Sequence, residues 1–451
     1  MKAGKLSRRD FMGLLAGIGT GALLAACVPQ AVPVTTEGEK EGEKEEAVAA
    51  APEAAIEATL EIWTYPRTEN DAELVYKPMM AKFMELHPNI KPEIDVQPWS
   101  GRREKLYAAV AAGTPPDIWY ATTDTLPTYI NKDVILPLSD KLTPEDLADY
   151  SEAEIGAASA NGQLYMPLVE AEVNGIAYNG ALLRELGYDP ETAKFETWDE
   201  LFALGEKAKA KGWYLESLST FDWAEWLVTV HEAGGAVYTE DRSKSLMTEQ
   251  PAIDALTRWV MEYKNGWVPL EYAVGSVDEE RGLPDYWLSL EQVTHRREDA
   301  ACWRDTQSNP KLEYVFGHPR HKDTSLPYVS GLVSGQGWAI TKLSKNKEAA
   351  VIWIKFMIQP ENIGLFSTLA GTTPVGNKSK TYWKPDPCVL EHIKRFSPYL
   401  FAGADINTLW QESKVVAGPH FQAAVLGQET VEQALEAIDK ELNALLKEKY
   451  S

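Results

Sequence analysis

Cysteine is scarce in this chain. Three residues in 451, at positions 27, 302 and 388, are too few for a disulfide-built scaffold. Positive charge is also short: 44 Lys and Arg against 67 Asp and Glu leave a formal charge of −23, and no basic run follows residue 10. Such a field repels a polyanion, so nucleic acid is not an expected partner. A mean hydropathy of −0.30 excludes a polytopic membrane protein. Histidine is sparse as well, with seven residues and no His-Glu-x-x-His pair. A Gly-x-Ser-x-Gly elbow, a phosphate-cradling Gly-rich Lys loop and a Gly-x-Gly-x-x-Gly fingerprint are all missing, so neither metal nor cofactor is expected. What remains is 44 % hydrophobic residues with 15 Trp and 19 Tyr, in a chain long enough for two cores.

The first residues read as an address. Lys2, Lys5 and Ser7-Arg8-Arg9-Asp10-Phe11 precede an apolar run to Ala26, then Cys27. A cationic head, a short apolar stretch and small residues before the cut make an export signal over residues 1–26. The run from Phe11 to Ala26 holds four Gly and is short for a bilayer span. Ser7 to Phe11 resembles the twin-arginine signal, and Leu24-Ala25-Ala26-Cys27 resembles the lipobox, whose Cys27 becomes lipidated. Cleavage removes four basic side chains and Asp10, taking the charge from −23 to −26. Residues 27–57 hold Pro, Thr, Ala and a Glu/Lys run, which cannot bury enough surface to offset ordering entropy. Thirty flexible residues reach about 30 Å, a tether that holds a domain off the outer membrane face.

Globular texture starts at Thr59. Leu60 to Tyr65 alternates as a strand, residues 69–87 read as a helix, and Ile94 to Val96 as a second strand. Arg102 to Ala112 reads as a helix closed by Gly113, and Asp117 to Tyr120 as a third strand. This alternation predicts an α/β fold with a mostly parallel sheet covered on both faces. Thr143-Pro144 and Thr197-Trp198-Asp199-Glu200 carry helix-start signals. Ile253, Leu256, Trp259, Val260 and Tyr263 share a helical stripe, as do Leu435, Ile438, Leu442 and Leu445.

Chemistry-bearing residues are few. Glu170 and Glu172 stand two apart and share a face on an extended segment, but neighbours on one strand do not flank a bond from opposite sides, which speaks against a glycosidase pair. His318 and His321 lie in a Pro-containing loop and read as solvated. Cys302 and Cys388 are expected as two buried thiols, because a twin-arginine substrate folds before export. The case for an enzyme is weak.

Six segments stand in order along the chain: Leu60 to Tyr65, Gly113-Thr114-Pro115-Pro116-Asp117, Gly162 to Pro167 with Ile176-Ala177-Tyr178-Asn179, Phe195 to Leu201, Gly337 to Ile340 with Ser344 to Ala350, and Gly427 to Leu435. Together they resemble the extracellular solute-binding proteins of ABC transporters, in the group that includes maltose-binding protein. The resemblance implies an α/β, two-lobe periplasmic-binding-protein-like fold with three hinge crossings. The crossings are expected near Glu170–Asn174, His318–Lys322 and Gly371–Val375. The lobes are then 58–170 with 320–372, and 171–319 with 373–451. It implies a monomer that delivers a solute, in this group a carbohydrate, to an ABC permease in the membrane.

A sugar offers an apolar C–H face and a fringe of hydroxyls, so aromatic rings and carboxylates are its expected partners. Tyr65, Arg67 and Asp124 follow strands at the end where ligands of open α/β sheets sit. The resemblance places Asp124, Glu172 (with Glu170 in play) and Asp222 at sugar-binding carboxylates, and Trp303 at an aromatic position. Trp223 and Trp226 adjoin Asp222, Arg304 follows Trp303, and Trp410 lies near the group's C-terminal stacking Trp. Trp223, Trp226, Trp303, Trp338 and Trp410 are open to cleft or core. Trp63, Trp119, Trp198, Trp259 and Trp353 are expected to pack. Ala121 stands where the relative has a stacking Trp, which points away from maltose. Glycerol phosphodiesters or polyamines are the alternative ligands, and the former would call on clustered Arg such as Arg102-Arg103.

Overall fold

A computed structural model describes residues 56–66, 71–97, 102–160, 162–274, 285–332, 334–401 and 409–450. The expected signal, Cys27, the tether up to residue 55 and Arg67 lie outside them. The strands used below are β1 (Ala58–Thr64), β2 (Ile90–Val96), β3 (Ile118–Thr122), β4 (Leu168–Glu172), β5 (Asn174–Asn179), β6 (Thr294–Glu298), β7 (Tyr314–Phe316), β8 (Gly331–Leu332), β9 (Ser334–Ile340), β10 (Thr373–Pro374) and β11 (Leu400–Phe401). The helices are α1 (Arg102–Ala111), α2 (Trp198–Ala210), α3 (Trp223–Glu232), α4 (Gln250–Asn265), α5 (Ala301–Ser308), α6 (Pro387–Phe396), α7 (Trp410–Val425) and α8 (Val431–Tyr450).

The N-lobe is built on one sheet in the order β10-β4-β9-β3-β1-β2. Strand β1 runs parallel to β2 and β3, whereas β9 is antiparallel to β3 and β4, and β10 to β4. The C-lobe sheet β6-β5-β7 is antiparallel throughout. The mostly parallel sheet expected from the alternation is therefore corrected to a mixed one. The chain returns to the N-lobe directly by strand, and a returning strand enters head to tail.

Local signals work where nothing competes. Thr197 caps α2 with a reciprocal capping box to Glu200. The 69–87 helix begins as a π-turn over Ala72–Tyr76 before regular helix from Lys77, since Pro78 cannot donate to the ladder. Thr143-Pro144 starts turns rather than a helix: Thr143 N and Oγ1 both donate to Asp146, closing one local loop.

The core of the N-lobe gathers around Trp119, Tyr120, Trp338 and Trp353. In the C-lobe, α3, α4 and α7 pack Trp226 against Trp259 and Phe421. Between its apolar clusters lies a buried ion network. Arg258 bonds Glu262 (2.8 Å), Glu232 (2.7 Å) and Glu216; Arg296 bonds Glu225 and Glu232 (both 2.8 Å); Arg320 bonds Glu216 (2.8 Å).

Strand pairing also moves two expected crossings. Residues 318–322 stay in the C-lobe, where Arg320 N donates to Val329 O and His321 N to Glu196 O; the chain changes sheet between Leu332 and Ser334 instead. Gly371, read as a hinge, has φ 74° because it caps the Pro360–Ala370 helix. Thr373 and Pro374 still pair with β4, and Lys384 N still bonds Thr368, so the third passage falls between Lys384 and Pro387. Segment 320–332 thus sits with the C-lobe, and 373–384 with the N-lobe. The first passage runs through Val173, between β4 and β5.

The Cys302–Cys388 pair is disulfide-bonded, with Cα atoms 6.1 Å apart, which corrects the expected thiols. Helices α5 and α6 face each other and bring two residues 86 apart in sequence within bonding distance.

Candidate functional site: an open cleft between the lobes

The cleft encloses about 940 Å³, part of it open to solvent. Its N-lobe wall comes from strand ends and one helix start. Thr122 ends β3 and Asp124 follows it in the next turn, Glu172 ends β4, Ser334 and Gln336 open β9, and Arg102 and Arg103 begin α1. The C-lobe wall is Phe221, Asp222 and Trp223 at the start of α3, with Trp410, Gln411 and Lys414 along the first turns of α7. Asn174 and Leu332, beside the first two passages, also line it.

Each wall is set by local chemistry. Asp222 is the N-cap of α3, its Oδ1 accepting from Glu225 N at 3.0 Å. Burial raises its pKa, opposed by that N–H. Phe221 reaches the cleft because Gly418 in α7 has no side chain; a Cβ there would clash with the ring. Arg102 is held from below by cation–π contacts, its guanidinium carbon 4.2 Å from the Tyr65 ring centroid and 5.3 Å from that of Trp119. Gln336 Nε2 donates to Glu172. Two polar atoms of lining residues, Gln336 Oε1 in the N-lobe and Trp223 Nε1 in the C-lobe, are buried with no partner among the described residues. Buried groups without partners are costly, and a hydroxyl-rich ligand could satisfy both.

Of the residues singled out from sequence, Asp124, Glu172, Asp222, Trp223 and Trp410 come together here. Six others do not line the cleft. Tyr65 is fully buried beneath Arg102, and Glu170 lies one rung deeper than Glu172, accepting from Tyr120 Oη. Trp226 is in the α3/α4/α7 core, and Trp338 packs 4.3 Å from Tyr120 and edge-on to Trp353. Trp303 packs on Gly371, and Arg304 pairs with Glu298. Trp63, Trp119, Trp198, Trp259 and Trp353 are core. Sequence reasoning missed Phe221, Gln336, Gln411 and Lys414. Lys414 was findable, since it lies one turn beyond Trp410 on the same helix face. Arg102 and Arg103, a pair that from sequence fits a phosphate ligand or plain surface charge, line the cleft as well.

Among the described residues no group of three or more His, Cys, Asp and Glu is set to hold a metal, and no helix is long and apolar enough to cross a membrane. His321 instead bonds Leu326 O through Nδ1 and stacks on Tyr328.

Comparison with known proteins gives the same architecture. The chain is 25% identical over 334 residues to an uncharacterised ABC transporter extracellular-binding protein of Pyrococcus horikoshii, covering 70% of this chain and 71% of that one. It is 25% identical over 302 residues to a diacetylchitobiose-binding protein of Streptomyces coelicolor, covering 65% and 68%. The maltose-bound structure of T. maritima MalE3 superposes with a TM-score of 0.72 at 21% identity, over 86% of this chain and all of that one. That likeness establishes a two-lobe α/β fold. The model of the bacterial extracellular solute-binding proteins matches residues 78–387, well over half of the chain, and the chain belongs to that family.

Proposed function

We propose that this protein is an exported, lipid-anchored receptor that captures a sugar or short oligosaccharide between its lobes and delivers it to an ABC permease. The observation that carries the reading is the division of labour in the cleft. Phe221, Trp223 and Trp410 offer flat apolar surface on one wall, and Asp124, Glu172, Gln336 and Arg103 offer hydrogen-bonding groups on the other. A pyranose has those two faces, and closing the lobes on it engages both. The relatives that bind diacetylchitobiose and maltose support the ligand class.

The ligand then selects the closed state, by no more than its differential affinity for closed over open. The permease reads closure. Anchoring follows from the Leu24-Ala25-Ala26-Cys27 lipobox, with Cys27 lipidated after twin-arginine export and residues 28–57 as tether. We take the receptor to work as a monomer, as a binder rather than an enzyme, with no cofactor.

The test is a thermal-shift screen of the mature chain against mono- and oligosaccharides. A ligand at a hundred times its Kd adds about 2.7 kcal/mol, a clear rise in Tm. Release of reducing ends from a polysaccharide would mark an enzyme instead. One observation favours a second reading: Arg102, Arg103 and Lys414 share the cleft, as an anionic ligand such as a glycerol phosphodiester would need. A rise with phosphates and none with neutral sugars would select it.

A further inference from the structure

Helices α5 and α6, with the residues that flank them, contact the chain at or beside each of the three passages, alongside Arg296 and α3 at the second, and the disulfide joins these two helices. Helix α6 and the segment after it hold the first two passages. His392 Nε2 lies 2.9 Å from Val173 O in the first, and Phe396 fills the space that the missing side chain of Gly175 leaves beside it. In the second, Ser330 Oγ donates to Phe396 O (2.9 Å), Ser330 N donates to Tyr399 O (3.0 Å), and β8 pairs with β11.

Helix α5 holds the chain that leads to the third passage. Asp299, just ahead of the helix, accepts from Thr373 Oγ1 at 2.6 Å, a bond from the C-lobe to β10 of the N-lobe sheet. Trp303 lies so close against Gly371 that a Cβ there would clash with the indole. Cys302 adjoins Trp303 on α5, and Cys388 is in the first turn of α6. The sulfurs belong to a separate apolar cluster that contains Val173 and Trp383, one from the first passage and one just ahead of the third. None of these residues lines the cleft.

We propose that the Cys302–Cys388 disulfide is a hinge-setting bond: by fixing the spacing of α5 and α6 it makes the three passages bend as one unit, which keeps up the population of the closed, ligand-competent state. Without it, the α5 grip on Gly371 and Thr373 is free to move relative to the α6 grip on Val173 and Ser330. More lobe orientations become accessible, the closed one is a smaller fraction of them, and apparent affinity falls by that fraction. Opening the bond requires a dithiol reductant. Its thiolate attacks one sulfur, and its second thiol then displaces that mixed disulfide. Two electrons and two protons pass to Cys302 and Cys388 while the reagent becomes a cyclic disulfide.

The experiment compares the mature chain oxidised, reduced by a dithiol in its folded state, and as the Cys302→Ser/Cys388→Ser double variant. Small-angle scattering reads the spread of lobe orientations without ligand, and titration with whichever sugar raises the Tm reads affinity. The expected result is a broader distribution on reduction and an affinity about three- to tenfold weaker. Trp303→Ala, with the disulfide intact, should move both readouts the same way. Leu201→Ala, in an apolar cluster away from the hinge, should lower the Tm and move neither. The proposal is overturned if reduced protein and Trp303→Ala keep the native distribution and affinity while only the Tm falls. If the double variant does not fold, the reduced wild type and Trp303→Ala still decide. Because lobe orientation is read without ligand, a failure of the sugar reading would leave this result standing.

Discussion

The two lobes solve the same packing problem in different ways. In the N-lobe a six-stranded sheet organises one contiguous apolar core, with Trp119 and Tyr120 on its central strand. The C-lobe has a sheet of only three strands, and its apolar residues fall into separate clusters. Between those clusters Arg258, Arg296 and Arg320 are wired to Glu216, Glu225, Glu232 and Glu262. A small sheet leaves helix ends and loops to be fixed by something directional, and fully bonded buried ions do that. The cleft inherits the contrast. The N-lobe wall is polar, strand ends with the start of α1, and the C-lobe wall sets aromatics beside Asp222, Gln411 and Lys414; the ion network holds the start of α3 through Glu225, three residues from Asp222.

The contrast breaks most sharply at Arg258, which is fully buried and bonds three carboxylates. Arg258→Ala leaves those charges uncompensated and should cost about 3–5 kcal/mol. Denaturant unfolding followed by hydrogen exchange should show the loss in the C-lobe, with N-lobe strands β1 and β3 protected to higher denaturant. Equal loss in both lobes would mean that they unfold as one unit and that the contrast has no energetic meaning.

Between the walls, the aromatic side should matter more. Trp410→Ala removes a platform and should weaken the responding ligand by about tenfold, or 1.4 kcal/mol. Asp124→Ala removes hydrogen bonds from the opposite wall and should cost about 1 kcal/mol, some fivefold, with the Tm of the free protein unchanged. Titration calorimetry measures both. A larger loss at Asp124 than at Trp410 would invert the assignment of the walls, and no loss at either would place the ligand elsewhere.

Residue types and short-range patterns made much of this legible. The capping box at Thr197 and the stripe from Ile253 to Tyr263 depend on neighbours within one or two helical turns. Asp124 was legible from its place just after a strand, whereas Asp222 came only from the family resemblance and its role as a helix cap only from the structure. What stayed hidden depends on distant pairing. Trp223 and Trp226 differ by three positions, yet it is contact with Trp259 and with Phe421, almost two hundred residues on, that turns Trp226 away from the cleft. The disulfide needs α5 to face α6, and the second passage is defined by where β8 gives way to β9. Gly371 misled because a positive φ serves a helix cap as readily as a hinge.

The smallest expected effect is a pH dependence that belongs to the ion network alone. Burial pushes the Glu262 carboxyl up to about 7, against the pull of Arg258, in a network where four carboxylates face three guanidiniums. Burial would raise Glu216 too, but Arg320 and Arg258 outweigh it and hold that group down to about 2. A carboxyl whose folded pKa lies above its unfolded value of 4.5 binds more protons when folded. Its contribution is full below 4.5 and is lost as pH rises through about 7. Buried His295, lowered to about 3 by burial, and His392, lowered to about 4, act in the opposite sense between there and their ordinary 6.5, so the wild-type curve alone is ambiguous. The difference between Glu262→Gln and wild type isolates the carboxyl, since the amide can still accept from Arg258 Nε without titrating. That difference should move in favour of the variant by about 1 kcal/mol between pH 6 and pH 7, read from urea midpoints at each pH. A difference that stays flat would mean that Glu262 is ionised throughout, and that the C-lobe carries an uncompensated buried charge that its apolar clusters must outweigh.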